Sequence, residues 1–313
     1  MRSNENKPSC PSDQNIFGRC IYQTTRPTFS DTGPFLFTDT AFLRCSIDGN
    51  GSAISFSISG GKLAVIGCTF AQCISYTSGD DGNGGGAIYA NGVAKIEVSF
   101  SSFISCACYS TDGCDGGAIE IYKLTSQPMI TQCIFLLCHA DDDGGTVSVF
   151  NSSSDNTLVC TDCRIIHCTV PLNDDNRAGP TSGGIVFWYN DNPMNYANIL
   201  FTDSEGMYGG AYSTDNITVA PDYLLRYCFF NRNRGPIGND IYLSPLSSIP
   251  PFLHCISTSE PGRIGYWNDT EYTSTDADWL SLTLEKTKDT QIPNYSHFLE
   301  SLTTLFIMRH SFY

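Results

Sequence analysis

The chain has 313 residues, a length that is long for one compact domain and ordinary for an elongated fold. Its 32 acidic residues outnumber its 17 basic residues, which gives a formal net charge of −15. Nucleic acids and anionic membrane surfaces are bound through lysine and arginine, so this charge argues against both as partners.

The sequence says little about the compartment. Residues 1–20 lack the apolar core of a secretory signal, and "LTTLFIM" at 302–308 is too short to span a membrane, so we expect no export or anchoring device. Fifteen cysteines are typical of an oxidising compartment, but the odd number leaves at least one thiol free or paired between chains. Five N-x-S/T sequons permit export and lie at Asn50, Asn151, Asn216, Asn268 and Asn294.

A glycine pair followed by a run of apolar residues recurs along the chain. Aligned on the second residue of each pair, the copies lie 26 to 39 residues apart. They fall at Ser52, Gly86, Gly117, Gly145, Gly184, Gly210 and Asn239. A marker that stays fixed while the loops vary in length predicts a stacked solenoid.

After each marker the apolar residues alternate with polar ones, which predicts β-strands. We therefore expect one stacked interior column of aliphatic residues, formed by Ile54, Ile88, Ile119, Val147 and Ile241. The same alternation predicts that Tyr89, Glu120 and Ser148 point to water. The glycines are expected to provide backbone angles or close approach that a side chain would hinder.

A second motif lies between the glycine pairs, with the clearest copies "CTFAQC" at 68–73, "SSFISC" at 101–106, "CIFLLC" at 133–138 and "CRIIHC" at 163–168. Its first and third residues share the inner face of a strand, and its sixth lies beyond a turn. We align the sixth position as Asn50, Cys73, Cys106, Cys138, Cys168, Ser204 and Asn233. The four cysteines are predicted to form a column of free buried thiols, because parallel Cα–Cβ vectors keep their β-carbons too far apart for an unstrained bridge. Bridges are expected off this column, with Cys10 and Cys20 the nearest pair in sequence.

Each coil thus contains at least two strands, and strands of successive coils must pair in parallel. The predicted fold is all-β, a right-handed parallel β-helix of about seven coils. The β-helix is expected at 35–243, after an N-terminal cap or disordered leader at 1–34. In the C-terminal flank, 244–313, two amphipathic stretches at 276–288 and 296–308 are predicted to be short helices that cover the open end.

The motifs also resemble a known family. "GGAI" occurs at 85–88 and 116–119, and F-x-x-N occurs at 230–233, with F-x-x-C in most other copies. These motifs resemble the repeats of the polymorphic outer membrane proteins, right-handed β-helical surface adhesins of chlamydiae. The resemblance implies display at a cell surface or outside the cell, and adhesion to a host-cell or extracellular component, protein or glycan.

Acidic clusters that precede successive glycine pairs are candidates for chemistry. The clearest are Asp80, Asp81, Asp112, Asp115, Asp141, Asp142 and Asp143. A helix of stacked coils would align these carboxylates along one edge, where they are weak candidates for binding calcium, an ion that takes six to eight oxygen ligands. The alternative is a solvated loop edge.

The same carboxylates suggest an alternative function, that of a carbohydrate-active enzyme such as a polysaccharide lyase or hydrolase. Pectinase-like enzymes would show N-T-D, a D-D pair and G-H-G in a fixed order, and this order is incomplete here. "CTDCRIIHC" at 160–168 imitates a zinc site, but the repeat itself accounts for Cys163 and Cys168. We therefore expect a non-catalytic surface adhesion or interaction protein with no catalytic residue, metal or other cofactor.

Overall fold

The computed structural model describes residues 16–18, 21–23, 26–27, 29, 33–77, 84–111, 113–124, 126–150, 158–172, 182–188, 195–215, 225–244, 252–253, 255–259, 264–267 and 272–275. Within these ranges the regular elements are β-strands. The helices predicted at 276–288 and 296–308 lie outside the described residues.

The strands are β1 Ile16–Gly18, β2 Ile21–Gln23, β3 Pro34–Thr38, β4 Ala41–Leu43, β5 Ser46–Asp48, β6 Ile54–Phe56, β7 Lys62–Ile66, β8 Thr69–Ala71, β9 Ile74–Thr77, β10 Ile88–Asn91, β11 Lys95–Ser99, β12 Ser102–Ile104, β13 Ala107–Ser110, β14 Ile119–Tyr122 and β15 Met129–Thr131. They continue with β16 Ile134–Leu136, β17 His139–Ala140, β18 Val147–Phe150, β19 Val159–Thr161, β20 Arg164–Ile166, β21 Ile185–Trp188, β22 Asn195–Ala197, β23 Leu200–Thr202, β24 Tyr212–Asp215, β25 Leu225–Arg226, β26 Phe229–Asn231, β27 Ile241–Ser244, β28 Phe252–Leu253, β29 Ile256–Ser257, β30 Ile264–Trp267 and β31 Tyr272–Thr275.

These strands form four sheets, numbered here in the order in which a coil passes through them. The first sheet runs β1-β3-β7-β11-β15-β19-β22-β25-β28 and the second β2-β4-β8-β12-β16-β20-β23-β26-β29. The third is β5-β9-β13-β17, and the fourth runs from β6 through β10, β14, β18, β21, β24, β27 and β30 to β31. Every pairing is parallel except that of β30 with β31. The predicted fold class is confirmed: the chain is a parallel β-solenoid. Its handedness and the number of coils stay predictions.

The aliphatic column predicted for the fourth sheet is confirmed. Ile54, Ile88, Ile119 and Val147 are direct neighbours on successive strands, and all are fully buried. The column continues through Ile185 and Tyr212 to Ile241. Because Ile185 pairs with Val147, Gly183 rather than Gly184 occupies the marker position in that coil, so the alignment on Gly184 is wrong by one residue.

A ladder of phenylalanine rings fills the inner face of the second sheet. The rings of Phe42, Phe70, Phe103 and Phe135 follow one another with centroids 4.7 to 4.9 Å apart and planes within 10° of parallel. The pairing of Phe42 with Phe70 places Cys45, not Asn50, at the sixth position of the first copy. The alignment on Asn50 is therefore wrong, and the motif begins at Thr40.

Seven second-sheet strands, β4, β8, β12, β16, β20, β23 and β26, are flanked by residues in the left-handed backbone region. The non-glycine residues concerned have φ between 48° and 57° and are Asp39, Arg44, Gln72, Phe100, Ser105, Gln132, Leu137, Asp162, His167, Asn198, Asp203, Tyr227 and Arg232. This conformation costs an L-residue roughly 1–2 kcal/mol. The buried residues on both sides of each turn offset that cost, since the turn is what directs them into the core.

The glycine pairs serve the backbone, as predicted. Gly85 has φ +65°, and a Cβ added to Gly86 would collide with the carbonyl oxygens of Gly117 and Ala107. The first glycine therefore makes the turn into the fourth sheet, and the second lets two strands approach closely.

The outer face of the fourth sheet differs from the prediction. Tyr89, Glu120 and Ser148 do alternate with the interior column, but they are 5%, 2% and 0% exposed. The prediction that they point to water is wrong, because this sheet is covered on both faces and strand alternation cannot distinguish a solvated outer face from a covered one.

The sheets extend past both boundaries predicted for the repeat region. Strands β1 and β2 precede residue 35, and β28 to β31 follow residue 243. At the N-terminal end, the Arg26 guanidinium donates to the Asn50 and Gly51 carbonyls at 2.6 and 3.1 Å. The Phe29 ring packs edge-on against Phe56 at 5.1 Å.

Replacing a ring of the phenylalanine ladder is expected to be far more disruptive than replacing an exposed ring close by. Phe103→Ala should lower the free energy of unfolding by about 3–5 kcal/mol, because it leaves a cavity between two stacked rings. Phe100→Ala, three residues earlier, removes a ring that is 57% exposed and should change the same quantity by less than about 0.5 kcal/mol. Urea denaturation followed by circular dichroism measures both, and equal losses would contradict the ladder.

Candidate functional site

The outer face of the third sheet presents two tyrosines between two aspartates. Tyr76 and Tyr109 are 48% and 37% exposed, and their rings stack with centroids 5.8 Å apart and an interplanar angle of 27°. Asp48 is the strand neighbour of Tyr76. At the other end Asp141 follows β17, and its carboxylate accepts a hydrogen bond from the Ser110 backbone N–H at 2.9 Å. We call Asp48, Tyr76, Tyr109 and Asp141 the Asp–Tyr column.

The register of the third sheet explains why these four side chains line up on its outer face. Each lies three residues after a cysteine at the sixth position of the second motif, because the third-sheet strands begin directly after Cys45, Cys73, Cys106 and Cys138. The cysteine faces the core, so the third residue after it faces outward. Sequence reasoning missed this column, although the recurrence of Asp or Tyr at that offset was a usable signal.

His139 connects one end of the column to a hydroxyl. Its Nε2 lies 3.2 Å from Asp141 Oδ1 and its Nδ1 3.0 Å from Thr169 Oγ1. Hydroxyl, imidazole and carboxylate in this order resemble a nucleophile triad, but acyl transfer also requires N–H donors for the oxyanion. The Thr169 and Ala140 backbone N–H groups donate instead to the Cys138 and Thr169 carbonyls, at 3.0 and 3.2 Å. The network is therefore a hydrogen-bonded chain without a neighbouring oxyanion site on these two amides.

The predicted acidic edge is described only in part, since Asp80, Asp81 and Asp112 lie outside the described residues. Asp115 and Asp143 come together, because the Asp143 backbone N–H donates to Asp115 Oδ1 at 3.3 Å, and Asp143 is 5% exposed. Asp141 instead turns to His139. Within the described ranges, histidine, cysteine and acidic side chains do not cluster in a way that would hold a metal ion. Calcium binding at Asp115, Asp141, Asp142 and Asp143 stays a prediction.

Glu120 is a deeply buried carboxyl on the outer side of the fourth sheet. It is 2% exposed and accepts a hydrogen bond from the Gly84 backbone N–H. Burial raises the pKa of Glu120 well above its usual range, the nearby Asp115 charge raises it further, and the Gly84 N–H opposes both. Burial raises the pKa of Tyr89 to about 12, and the nearby Glu120 carboxylate is the second largest cause of this increase.

The zinc-like stretch at 160–168 is divided between core and surface. Cys160, Cys163 and Cys168 are buried, whereas the His167 side chain is 54% exposed and lies 3.6 Å from Asp203. The buried thiols and the exposed imidazole therefore do not converge on one ion in the described part of the chain.

The cysteine column is confirmed. Cys73, Cys106, Cys138 and Cys168 are free and buried on successive coils, with Cys45 preceding them. The Cys73, Cys106 and Cys138 thiols each donate to a backbone carbonyl of the preceding coil, at 3.5 to 3.7 Å. Burial raises the pKa of the Cys138 and Cys168 thiols, which disfavours the reactive thiolate.

One disulfide lies off the column, where the sequence predicts that bridges occur. It joins Cys108 and Cys114, whose α-carbons are 5.7 Å apart. Sequence reasoning did not find this pair. The pair that it favoured, Cys10 and Cys20, lies outside the described residues.

Comparisons with family models, with curated proteins and with solved structures find no match. In the part of the chain that the structure describes, no helix has the length and apolarity that a membrane crossing requires.

Glu120 predicts a dependence of stability on pH. A carboxyl whose pKa is raised by folding stabilises the protein below its unfolded pKa, and this stabilisation is lost as the pH rises through the folded value. Glu120→Gln should therefore gain stability relative to the wild type between pH 4 and pH 8, as measured by denaturant unfolding at both pH values. Glu97→Gln, the same substitution on the outer face of the first sheet, is the matched control variant. A difference between the Glu120→Gln variant and the wild type that is the same at both pH values would contradict this account.

Thiol counting tests the cysteine columns. Under denaturing, non-reducing conditions at least eleven thiols should react with a chromogenic disulfide reagent, since eleven described cysteines are free. The native protein should react slowly at the same positions, because all of them are buried. Fewer than eleven reactive thiols after denaturation would show that at least one of these eleven cysteines is bridged.

Proposed function

We propose that this protein is a non-catalytic, surface-exposed interaction module that binds a component of a cell surface or of the extracellular space. The observation that supports the proposal is the Asp–Tyr column, in which strand pairing fixes two exposed aromatic rings on a rigid sheet face. Exposed tyrosines on a preorganised surface are typical of binding sites, since they offer contact area at a small entropic cost.

The motif resemblance to chlamydial surface adhesins supports the same proposal, as does the length of the solenoid. A rod of stacked coils presents equivalent side chains along an extended face, which suits recognition of an extended partner better than of a small molecule.

The alternative, a carbohydrate-active enzyme, would need carboxylates that reach the substrate. Glu120 has the raised pKa that suits a general acid, and Asp115 lies near it. However, Glu120 and Asp143 are 2% and 5% exposed, which favours the interaction module.

A pair of assays on the purified protein tests the proposal. Labelled protein should bind at least one surface in a panel of cultured cells and immobilised glycans, and it should release neither reducing ends nor unsaturated products from uronic-acid polymers, with or without calcium. Polymer turnover that disappears on substituting Asp141, Asp142 and Asp143 with asparagine would replace the interaction module with the enzyme. Absence of binding to every surface would also count against the module.

A further inference from the structure

We propose that the Asp–Tyr column binds an extended cationic segment of a partner protein, in which two basic side chains lie four residues apart on either side of an aromatic or apolar one. This inference rests on the proposed function, since it names the partner class for an interaction module.

The length of the column sets the spacing. Asp48, Tyr76, Tyr109 and Asp141 occupy four successive coils, so the two carboxylates are separated by three steps of about 4.8 Å, or about 14 Å. An extended peptide rises about 3.4 Å per residue, so its residues i and i+4 are also about 14 Å apart. Residues i, i+2 and i+4 of such a peptide face the same side, which places i+2 over the tyrosines.

The negative charge of this face determines which partner charge it favours. Strands β5, β9, β13 and β17 contain no lysine or arginine, and the whole chain carries a net charge of −15. Asp48 is exposed at one end, and the Asp141 side chain remains 26% exposed at the other, next to Tyr109. Complementary charges steer and orient partners, so this face favours a cation and repels an acidic segment.

Ring orientation favours a peptide over a glycan. A sugar ring stacks on an open aromatic face, but Tyr76 and Tyr109 stack on each other and His139 lies 5.4 Å beyond Tyr109. The rings therefore turn their edges outward. An edge suits an aromatic side chain in an edge-to-face arrangement, and the flanking carboxylates suit arginine.

The test is fluorescence anisotropy with the full chain and a labelled peptide, Gly-Arg-Ser-Phe-Ser-Arg-Gly. A spacing control, Gly-Arg-Arg-Ser-Phe-Ser-Gly, has the same composition with adjacent arginines, and a charge control replaces both arginines with glutamate. We expect the first peptide to bind, more weakly at high salt, the spacing control to bind at least about fivefold more weakly, and the charge control not to bind.

Variants locate the site. Asp48→Asn should weaken binding about fivefold, and Glu97→Gln, the same change of charge on the first sheet, should leave it unaltered. The double variant Tyr76→Ser, Tyr109→Ser should weaken binding more than about tenfold, whereas Tyr76→Phe, Tyr109→Phe should retain it because the rings remain. Unfolding curves matching the wild type establish that each variant is folded.

Several results would overturn the inference. These are failure of the wild type to bind the peptide, equal binding of the two arginine peptides, or equal weakening by Asp48→Asn and Glu97→Gln. A loss with the tyrosine variant that is independent of Asp48 and of salt would assign the face to a neutral ligand such as a glycan. If the wild type and the tyrosine-to-serine variant bind cells equally well, the column is not the binding surface, although the interaction module itself stands.

Discussion

Parallel, in-register stacking of equivalent residues is the constraint on which the rest of this structure depends. Every position on a coil lies about 4.8 Å from its equivalents above and below, so each side chain must pack against the equivalent side chains of the neighbouring coils. The Phe70, Phe103 and Phe135 rings satisfy this constraint by lying nearly parallel, 4.7 and 4.9 Å apart. The recurrence in the sequence follows directly from it.

The same constraint explains the distribution of cysteine. A thiol is small, apolar enough for a core and able to donate to a carbonyl of the preceding coil, as Cys106 does to Phe70. Toward the C-terminal end the column changes to Ser204 and Asn233, and the Ser204 backbone N–H donates to Asn233 Oδ1 at 3.1 Å. Asn233 and Ser259 donate to the buried Asp240 carboxylate at 3.0 and 2.6 Å, so the charge is hydrogen-bonded rather than isolated.

The parts of the fold that repeat could be predicted from the sequence. The order of Ile54, Ile88, Ile119 and Val147 followed from period-two alternation after a fixed marker. The same reasoning misplaced Gly184 because two adjacent glycines give no sign of which one occupies the marker position. It placed Asn50 where Cys45 lies because the first copy begins with threonine and lacks the initial cysteine.

Features that depend on what covers a face could not be predicted. Glu120 alternates correctly with the core, yet it is buried on the outer side and hydrogen-bonded to Gly84, whose position depends on another coil. The Cys108–Cys114 disulfide likewise depends on the path of the connection between the third and fourth sheets. The Asp–Tyr column was readable in principle, but only once the inward cysteines had fixed the register of the third sheet.

A double-mutant cycle on Phe70 and Phe103 tests the stacking most directly. If the rings stack on adjacent coils, the losses in unfolding free energy from Phe70→Leu and Phe103→Leu should be coupled by about 0.5–1.5 kcal/mol. Phe70 and Phe201, which lie four strands apart in the second sheet, should show coupling within about 0.5 kcal/mol of zero. Coupling for Phe70 with Phe201 but not for Phe70 with Phe103 would contradict the register, and with it the account of the solenoid.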